Sequence, residues 1–410
     1  MSEDYELLSQ VHASTPMGSF LRQFWLPALR SKAVVAGDVP RRFSLFGEAL
    51  VAFRAPDSSV GVLQERCPHR GVSLALARVE GDALRCIYHG WQIGVDGRLR
   101  EAPTEPKAAC ADLIEAVRIT RYPTHEMGGV IWVWAGSGDP PPFPRLPFDE
   151  LPSDHVTAYA GELDCHWLQA IEMLLDPVHI GILHRSHLVH GQLNWQKDEG
   201  EVRLPIGIDD PPPRIEIEQT AYGFRGAALR TLDDGDEFVR VTEWVKPFFS
   251  FLANRGQGTN NLYIATPLGE RKTALWYIGW DKGRPLDEAK LKANALGGGD
   301  PDNFTSHLES AGSLWGQDRK LMEDGHFTGF PTAMHEEAIV PQAQGEMQDI
   351  SQQTLGYSDG LIRMARKMLI DGAKQFLANG RRPVNPTDLR QLRPVAGFQK
   401  PGAAWRDLTF

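Results

Sequence analysis

Residues 67–91 read CPHRGVSLALARVEGDALRCIYHGW, and two short loops in this stretch each offer one cysteine and one histidine. Cys67 and His69 form a C-x-H; after sixteen intervening residues, Cys86 and His89 form a C-x2-H. That mixed pairing suits an asymmetrically held [2Fe-2S] cluster, with two thiolates on one iron and two neutral imidazoles on the other. The imidazoles raise the potential and leave one cluster edge protonatable and near solvent. Pro68 and Gly71 in the first loop, and Gly90 in the second, suit tight turns that bring the backbone close to the sulfides. The residues between the loops read as a hairpin. Zinc also takes two cysteines and two histidines, but zinc ribbons and fingers usually pair cysteine with cysteine and histidine with histidine. Loops holding one of each point to iron and sulfide.

The pattern resembles the Rieske family. Rieske proteins of respiratory complexes usually add a cysteine to each loop and join the two as a disulfide. Those cysteines are missing here, which points to the lower-potential oxygenase branch.

At 410 residues the chain is long enough for two or more domains, each with its own core. The balance of 43 basic against 53 acidic residues, with no basic run, speaks against a nucleic-acid partner. Residues 1–25 carry Glu3, Asp4 and Glu6 and lack the basic start and apolar stretch of a signal peptide. No apolar run approaches the length of a membrane span. Of four cysteines two belong to the cluster motif, and Cys110 and Cys165 read as packed thiols, so no disulfide framework is expected. The cytoplasm is the expected compartment.

Outward from the loops, residues 41–138 carry short alternating strands, among them RRFSLFGEALVAFR and GGVIWVWAG, and read as a small all-β domain. Residues 1–40 form an N-terminal segment expected to pack on the second domain. The proline-rich 139–152 is an extended linker, and 153–410 is that second domain. Its strands are expected at 214–218, 223–231, 237–245, 261–267 and 273–280, forming one large curved antiparallel sheet. GGGDP at 297–301 reads as a flexible loop and HFTGFP at 326–331 as an irregular piece. SDGLIRMARKMLIDGAKQFLANG ends the pattern as an amphipathic helix with Leu361, Ala365, Leu369 and Phe376 on one stripe and an Asn-Gly stop.

A second informative stretch is GELDCHWLQAIEMLLDPVHIGILHRSHLVH, residues 161–190. Its first half has helical spacing, with Asp164 as the expected N-cap and Trp167, Ile171, Leu174 and Leu175 facing inward. Pro177 interrupts or restarts the helix. Asp176, His179 and His184 stand in the order D-x2-H-x4-H. Two histidines and a carboxylate leave three adjacent positions open on an octahedral iron, the arrangement by which non-heme Fe(II) enzymes bind oxygen beside substrate. His179 and His184 form the natural pair, with Asp176 accepting an imidazole N–H behind them. His187 and His190 are rivals that lack an upstream acid at the same spacing.

Here the resemblance to the large subunits of Rieske non-heme iron ring-hydroxylating oxygenases becomes close. HWLQAIEMLLDPVHIGILH matches their E-x3-D-x2-H-x4-H region, and FTGFPTAMHEEAIVPQAQGEMQDISQQTLGYSDGLIRMARKML is similar to the phthalate dioxygenase type. The resemblance covers nearly the whole chain. It implies an α+β protein, an all-β Rieske domain followed by a helix-grip (START-like) catalytic domain. It also implies an oligomer, a homotrimer or a multiple of it, in which Asp176 bridges His179 to His89 of the partner subunit. Glu337 falls where the family has an aspartate ligand, with Glu336 just before it; Asp318 is the rival third ligand, and water is a third alternative. Glutamate is one methylene longer and can bind iron, but the backbone must sit farther back or the carboxylate must bind differently.

The chemistry so implied is oxygenation by O2 at mononuclear Fe(II). Electrons would come through the [2Fe-2S] cluster from a separate NAD(P)H-dependent flavin and iron-sulfur reductase, since no dinucleotide fingerprint follows a strand here. The phthalate-type resemblance implies a small aromatic carboxylate, such as a phthalate-, phenoxybenzoate- or chlorobenzoate-like acid. Its carboxylate needs a cation, and Arg225, Arg230 and Arg240 on candidate strands are the residues to weigh. O-demethylation of a methoxylated aromatic acid is the alternative reaction. A non-catalytic Rieske electron carrier is the alternative of another class, but it leaves His179 and His184 without purpose.

Overall fold

The computed structural model of the chain describes residues 3–188, 194–197, 200–253, 260–288, 309–345, 347, 352–380, 382–392 and 394–408. His190 and the 297–301 loop therefore lie outside the described residues. Two short helices come first, α1 (Glu3–Ser9) and α2 (Pro16–Leu21), the second capped by Thr15, whose hydroxyl accepts the Gly18 amide. β1 (Trp25–Arg30) is buried at every position. β2 (Arg41–Leu45), β3 (Glu48–Arg54) and β4 (Val60–Gln64) form an antiparallel meander. β5 (Arg78–Glu80), β6 (Ala83–Arg85), β7 (Gln92–Gly94) and β8 (Leu99–Glu101) form a second.

One helix, α3 (Lys107–Ala116), interrupts these strands without having been announced by the pattern. None of its residues is fully buried, and only Cys110, Leu113 and Ile114 lean on the core beneath. β9 (Thr124–Met127) then pairs with β10 (Val130–Trp134), and β10 pairs on its other edge with β1, from Trp25↔Trp134 to Arg30↔Val130. So the chain enters and leaves the cluster region along two adjacent strands.

The second half opens on β11 (Val156–Leu163), which sequence pattern missed, and then α4 (Trp167–Leu175). The cap of α4 is His166 and not Asp164: the His166 Nδ1 accepts the Leu168 amide at 3.3 Å, and Gln169 Oε1 accepts the His166 amide at 2.9 Å. Asp164 is two residues too early to reach those orphan donors. Nearly all of α4 is buried, so alanine at Trp167 would cost about 3–5 kcal/mol. After α5 (Ile180–Leu183) and α6 (Arg185–Leu188) comes a small ribbon, β12 (Asn194–Lys197) with β13 (Gly200–Arg203).

The large sheet contains β14 (Arg214–Gln219), β15 (Gly223–Thr231), β16 (Glu237–Val245), β17 (Phe249–Leu252), β18 (Asn260–Gly269) and β19 (Lys272–Trp280). Their order is β11-β19-β18-β17-β16-β15-β14, antiparallel throughout. The expected strands agree with these within one or two residues. α7 (Arg319–Glu323), α8 (Ala333–Ala343) and α9 (Gly360–Asn379) follow, and β20 (Ala396–Gln399) adds to β16.

α4 lies over β17–β19 and α9 over β14 and β15, so two helices grip one face of the sheet. They are joined by a buried bidentate pair in which Arg366 donates to both oxygens of Glu172 at 2.6 Å each. Leu361, Ala365 and Leu369 are the buried stripe of α9, and Gly380 ends it at φ 58°. No described helix is long and apolar enough to cross a membrane.

Candidate metal centres

The two cluster loops close in the same way despite their different spacings. In each, the cysteine amide donates to the residue five ahead, Cys67 to Val72 and Cys86 to Trp91, both at 2.9 Å. In each, a glycine four ahead donates back to the cysteine carbonyl, Gly71 (φ +74°) and Gly90 (φ +72°). Only a residue free to be left-handed closes that turn, as the sequence leads one to expect. Cys67 and Cys86 come within side-chain contact, and the His69 and His89 rings lie 4.4 Å apart. Trp91 stacks on His69 at 4.6 Å with the planes 4° from parallel.

These four residues fit a cluster. The Nδ1 atoms of His69 and His89 are buried with no hydrogen-bond partner among the described residues, so in the neutral tautomer protonated at Nε2 each offers a lone pair that a metal can take. Burial, with Cys86 alongside, pushes the Cys67 thiol up to about 11, while the His69 and Arg70 amides oppose it. Loading the site must therefore displace thiol protons.

The second centre is built from two segments far apart in sequence. α4 ends at Asp176, whose Oδ1 accepts the Val178 amide at 2.8 Å and turns the chain through Pro177 into α5. His179 and His184 flank the single turn of α5. Gly181 sits between them because the Ile206 carbonyl presses there: a Cβ would stand 1.4 Å from that oxygen. From the other side, α8 is capped by Thr332 and carries Glu336 and Glu337 near its start.

Glu337 Oε1 lies 3.2 Å from His179 Nε2 and 2.8 Å from His184 Nε2, and the two rings are 5.3 Å apart at 81°. One donor atom from each residue falls within 4.8 Å of the others. Glu337 Oε2 is buried with no hydrogen-bond partner among the described residues. Two imidazoles and a carboxylate with a spare oxygen are a donor set that suits non-heme iron with open positions. Burial would lower His179, but the Glu337 and Asp176 carboxylates outweigh it and raise it to about 10. Burial would likewise raise Glu337, and the two imidazoles hold it well below the usual carboxylate range.

Asp176 Oδ2 stands 3.7 Å from His179 Nδ1, on the side away from Glu337. Asp318 is not near this group; it caps α7 by accepting the Leu321 amide at 2.9 Å. His187 packs edge-on against His326 at 5.0 Å.

The three arginines separate by strand parity. Arg225 shares a face of the sheet with Glu243, while Arg230 and Arg240 share the opposite one, since Ala228 pairs with Arg240. Arg225 lies 3.3 Å from Glu218, 3.5 Å from Glu243 and over the Trp405 ring. Arg230 is buried and donates to the Pro177 carbonyl at 2.9 Å, behind the turn that carries His179. Arg240 interacts electrostatically with Glu337 and Tyr263, and no hydrogen bond or ion pair of its guanidinium occurs among the described residues. Burial lowers its affinity for its proton.

Sequence reading gave Glu336 no role, yet it is fully buried with its Oε2 2.6 Å from His184 Nδ1, and a second acid beside the candidate ligand was a visible signal.

A family model for the Rieske [2Fe-2S] domain matches residues 24–123, and one for the LigXa C-terminal domain like family matches residues 133–408. The chain is 34% identical over 389 residues to the oxygenase subunit of phthalate 4,5-dioxygenase from Pseudomonas putida, covering 92% of this chain and 87% of that one. It is 30% identical to the oxygenase subunit of 3-chlorobenzoate-3,4-dioxygenase from Comamonas testosteroni, covering 97% and 94%. Among solved structures, dicamba monooxygenase bound to dicamba superposes with a TM-score of 0.60 at 18% identity, over 88% of this chain and all of that one, a likeness of fold.

Proposed function

The chain belongs to the Rieske non-heme iron oxygenases, as the oxygenase subunit of a multicomponent system, and on that premise we propose that it oxygenates a small aromatic carboxylate gripped by Arg240. When bound, the [2Fe-2S] cluster supplies electrons singly and the mononuclear iron activates O2 beside the substrate.

Cys67, His69, Cys86 and His89 would hold the cluster, and His179, His184 and Glu337 the iron. Asp176 places its carboxylate 3.7 Å from the outer nitrogen of His179. In the homotrimer implied by the resemblance, the same carboxylate meets the partner subunit's His89 and completes the path between centres. The electrons come from a separate reductase, which we take to be an NAD(P)H-dependent flavin and iron-sulfur protein working with this chain in the cytoplasm.

The observation that carries the carboxylate reading is the guanidinium of Arg240. It is a half-buried cation that feels the charge of Glu337, with no ion-pair partner among the described residues. A cation kept from water without a partner is costly, and an anionic substrate group is the partner it lacks. The planar fork would fix the ring's orientation and so decide which carbon lies nearest the iron ligands.

A single turnover tests this without the reductase. The cluster is reduced chemically, O2 is added, and product is scored for phthalate-, phenoxybenzoate- and chlorobenzoate-like acids against their methyl esters. The acids should yield oxygenated product and the esters almost none. Esters turning over as fast as acids would sink the carboxylate reading, and formaldehyde from a methoxylated acid would redirect it to demethylation.

A further inference from the structure

Glu336 is a carboxylate with no exposed surface, one residue before the candidate iron ligand. Its Oε2 accepts from His184 Nδ1 at 2.6 Å, while Glu337 Oε1 stands 2.8 Å from the other nitrogen of the same ring. Two consecutive glutamates therefore bracket one imidazole. Neighbouring residues on a helix point about 100° apart, so side chains of different direction reach opposite edges of His184.

The far oxygen of Glu336 is also engaged. Its Oε1 is bonded to Thr328 Oγ1, and Thr328 Oγ1 in turn accepts the Phe330 amide at 3.3 Å. The Thr328 hydroxyl thus accepts from that amide and donates its own proton to the Glu336 carboxylate, which can only accept. The loop carrying Thr328 is itself tied to the histidine segment, because the Phe327 amide donates to Ser186 Oγ at 2.8 Å. So the irregular HFTGFP piece is a brace on the carboxylate.

From this geometry we infer that Glu336, braced by Thr328, is the positioning residue of the iron site. It takes the outer N–H of His184, which fixes that tautomer and aims the Nε2 lone pair at the metal. His179 has no such anchor: Asp176 is 3.7 Å from its Nδ1, which has no hydrogen-bond partner among the described residues. The two histidines are thus unequal, one locked by a buried carboxylate and one loosely held by a residue at a turn.

The inference rests on the mononuclear site proposed above, and the experiment separates the two. Wild type, Glu336→Gln, Thr328→Val and Thr328→Ser are loaded anaerobically with Fe(II) and challenged with a ferrous chelator. Iron retention, the electron paramagnetic resonance of the nitric oxide adduct and the visible spectrum of the cluster are then followed. Glu336→Gln should release iron roughly ten- to hundredfold more readily and alter the rhombicity of the nitrosyl signal, with the cluster spectrum unchanged. Thr328→Val should move the same way by less, and Thr328→Ser, which keeps the hydroxyl, should match wild type.

If Glu336→Gln does not accumulate, Thr328→Val carries the test, since it leaves both glutamates in place. Wild-type retention and an unchanged nitrosyl signal in Glu336→Gln, or in Thr328→Val where it stands alone, would overturn the inference while leaving the iron site intact. A wild type that binds no iron beyond the cluster would overturn both.

Discussion

Glu337 Oε1 stands 2.8 Å from His184 Nε2, closer than its 3.2 Å to His179 Nε2. The carboxylate thus occupies the position from which it would share an ion with both histidines, and the longer side chain of glutamate reaches it from the start of α8. Glu337→Gln should lose the mononuclear iron and product formation while the cluster spectrum persists. Iron per subunit, counted against cluster absorbance, checks it; a variant retaining full iron would remove Glu337 from the ligand set.

Asp176→Asn keeps the turn, because an amide oxygen can still accept from Val178, but removes the charge behind His179. Iron and cluster contents should stay near wild type. The rate at which the reduced cluster is reoxidised in the presence of O2 and substrate should fall by roughly ten- to hundredfold. Stopped-flow absorbance of the cluster reads that rate directly, and an unchanged rate would exclude Asp176 from the path between centres.

Arg240→Gln should weaken binding of the acid substrate by about 1.5–3 kcal/mol, the range of a hydrogen bond to a charged group, with little effect on a neutral analogue. Calorimetric titration of both ligands measures the difference. Arg225→Gln is the contrast: it should leave ligand binding alone and lower stability, because Glu243 is buried with that arginine among its neighbours. If Arg225→Gln lost affinity instead, the parity argument that sets the two on opposite faces would be at fault.

His166 supplies a pH prediction. Burial holds this imidazole neutral until about pH 3, whereas an unfolded histidine titrates near 6.5. Between those values the unfolded chain binds a proton that the folded one does not. Its contribution is therefore complete above pH 6.5 and declines as pH falls, by up to about 1.4 kcal/mol per unit. His166→Asn keeps an acceptor at the head of α4 and removes the titration, so its urea midpoint should change less between pH 6.5 and 4. Parallel acid limbs in the two proteins would show that the loss arises elsewhere.

What could be read from sequence was what lies close together along the chain. The cluster loops, strands 223–231 and 237–245 and the terminal helix all depend on spacings of a few residues, and each falls where the spacing puts it. The bracket around His184 joins residues more than 150 positions apart, and nothing local distinguishes Glu336 from Glu337. Strand parity could have separated Arg225 from Arg230, but not which face the helices cover. β11 was missed because it is buried almost throughout and so does not alternate. α3 was missed because it lies on the surface with a weak apolar stripe.

The pairing of β1 with β10 has a kinetic meaning. Both ends of the cluster region are fastened side by side in one sheet, and the Phe46 and Gly47 amides pin its β2–β3 turn to the Pro267 and Leu268 carbonyls at 2.8 Å each. A carrier on a tether must swing between donor and acceptor, and its rate slows in a thicker medium. Here the loops that would hold the cluster are fastened to the rest of the chain, so electron transfer from it would not wait on a swing of the domain. Glycerol or sucrose should leave the reoxidation rate of the cluster unchanged.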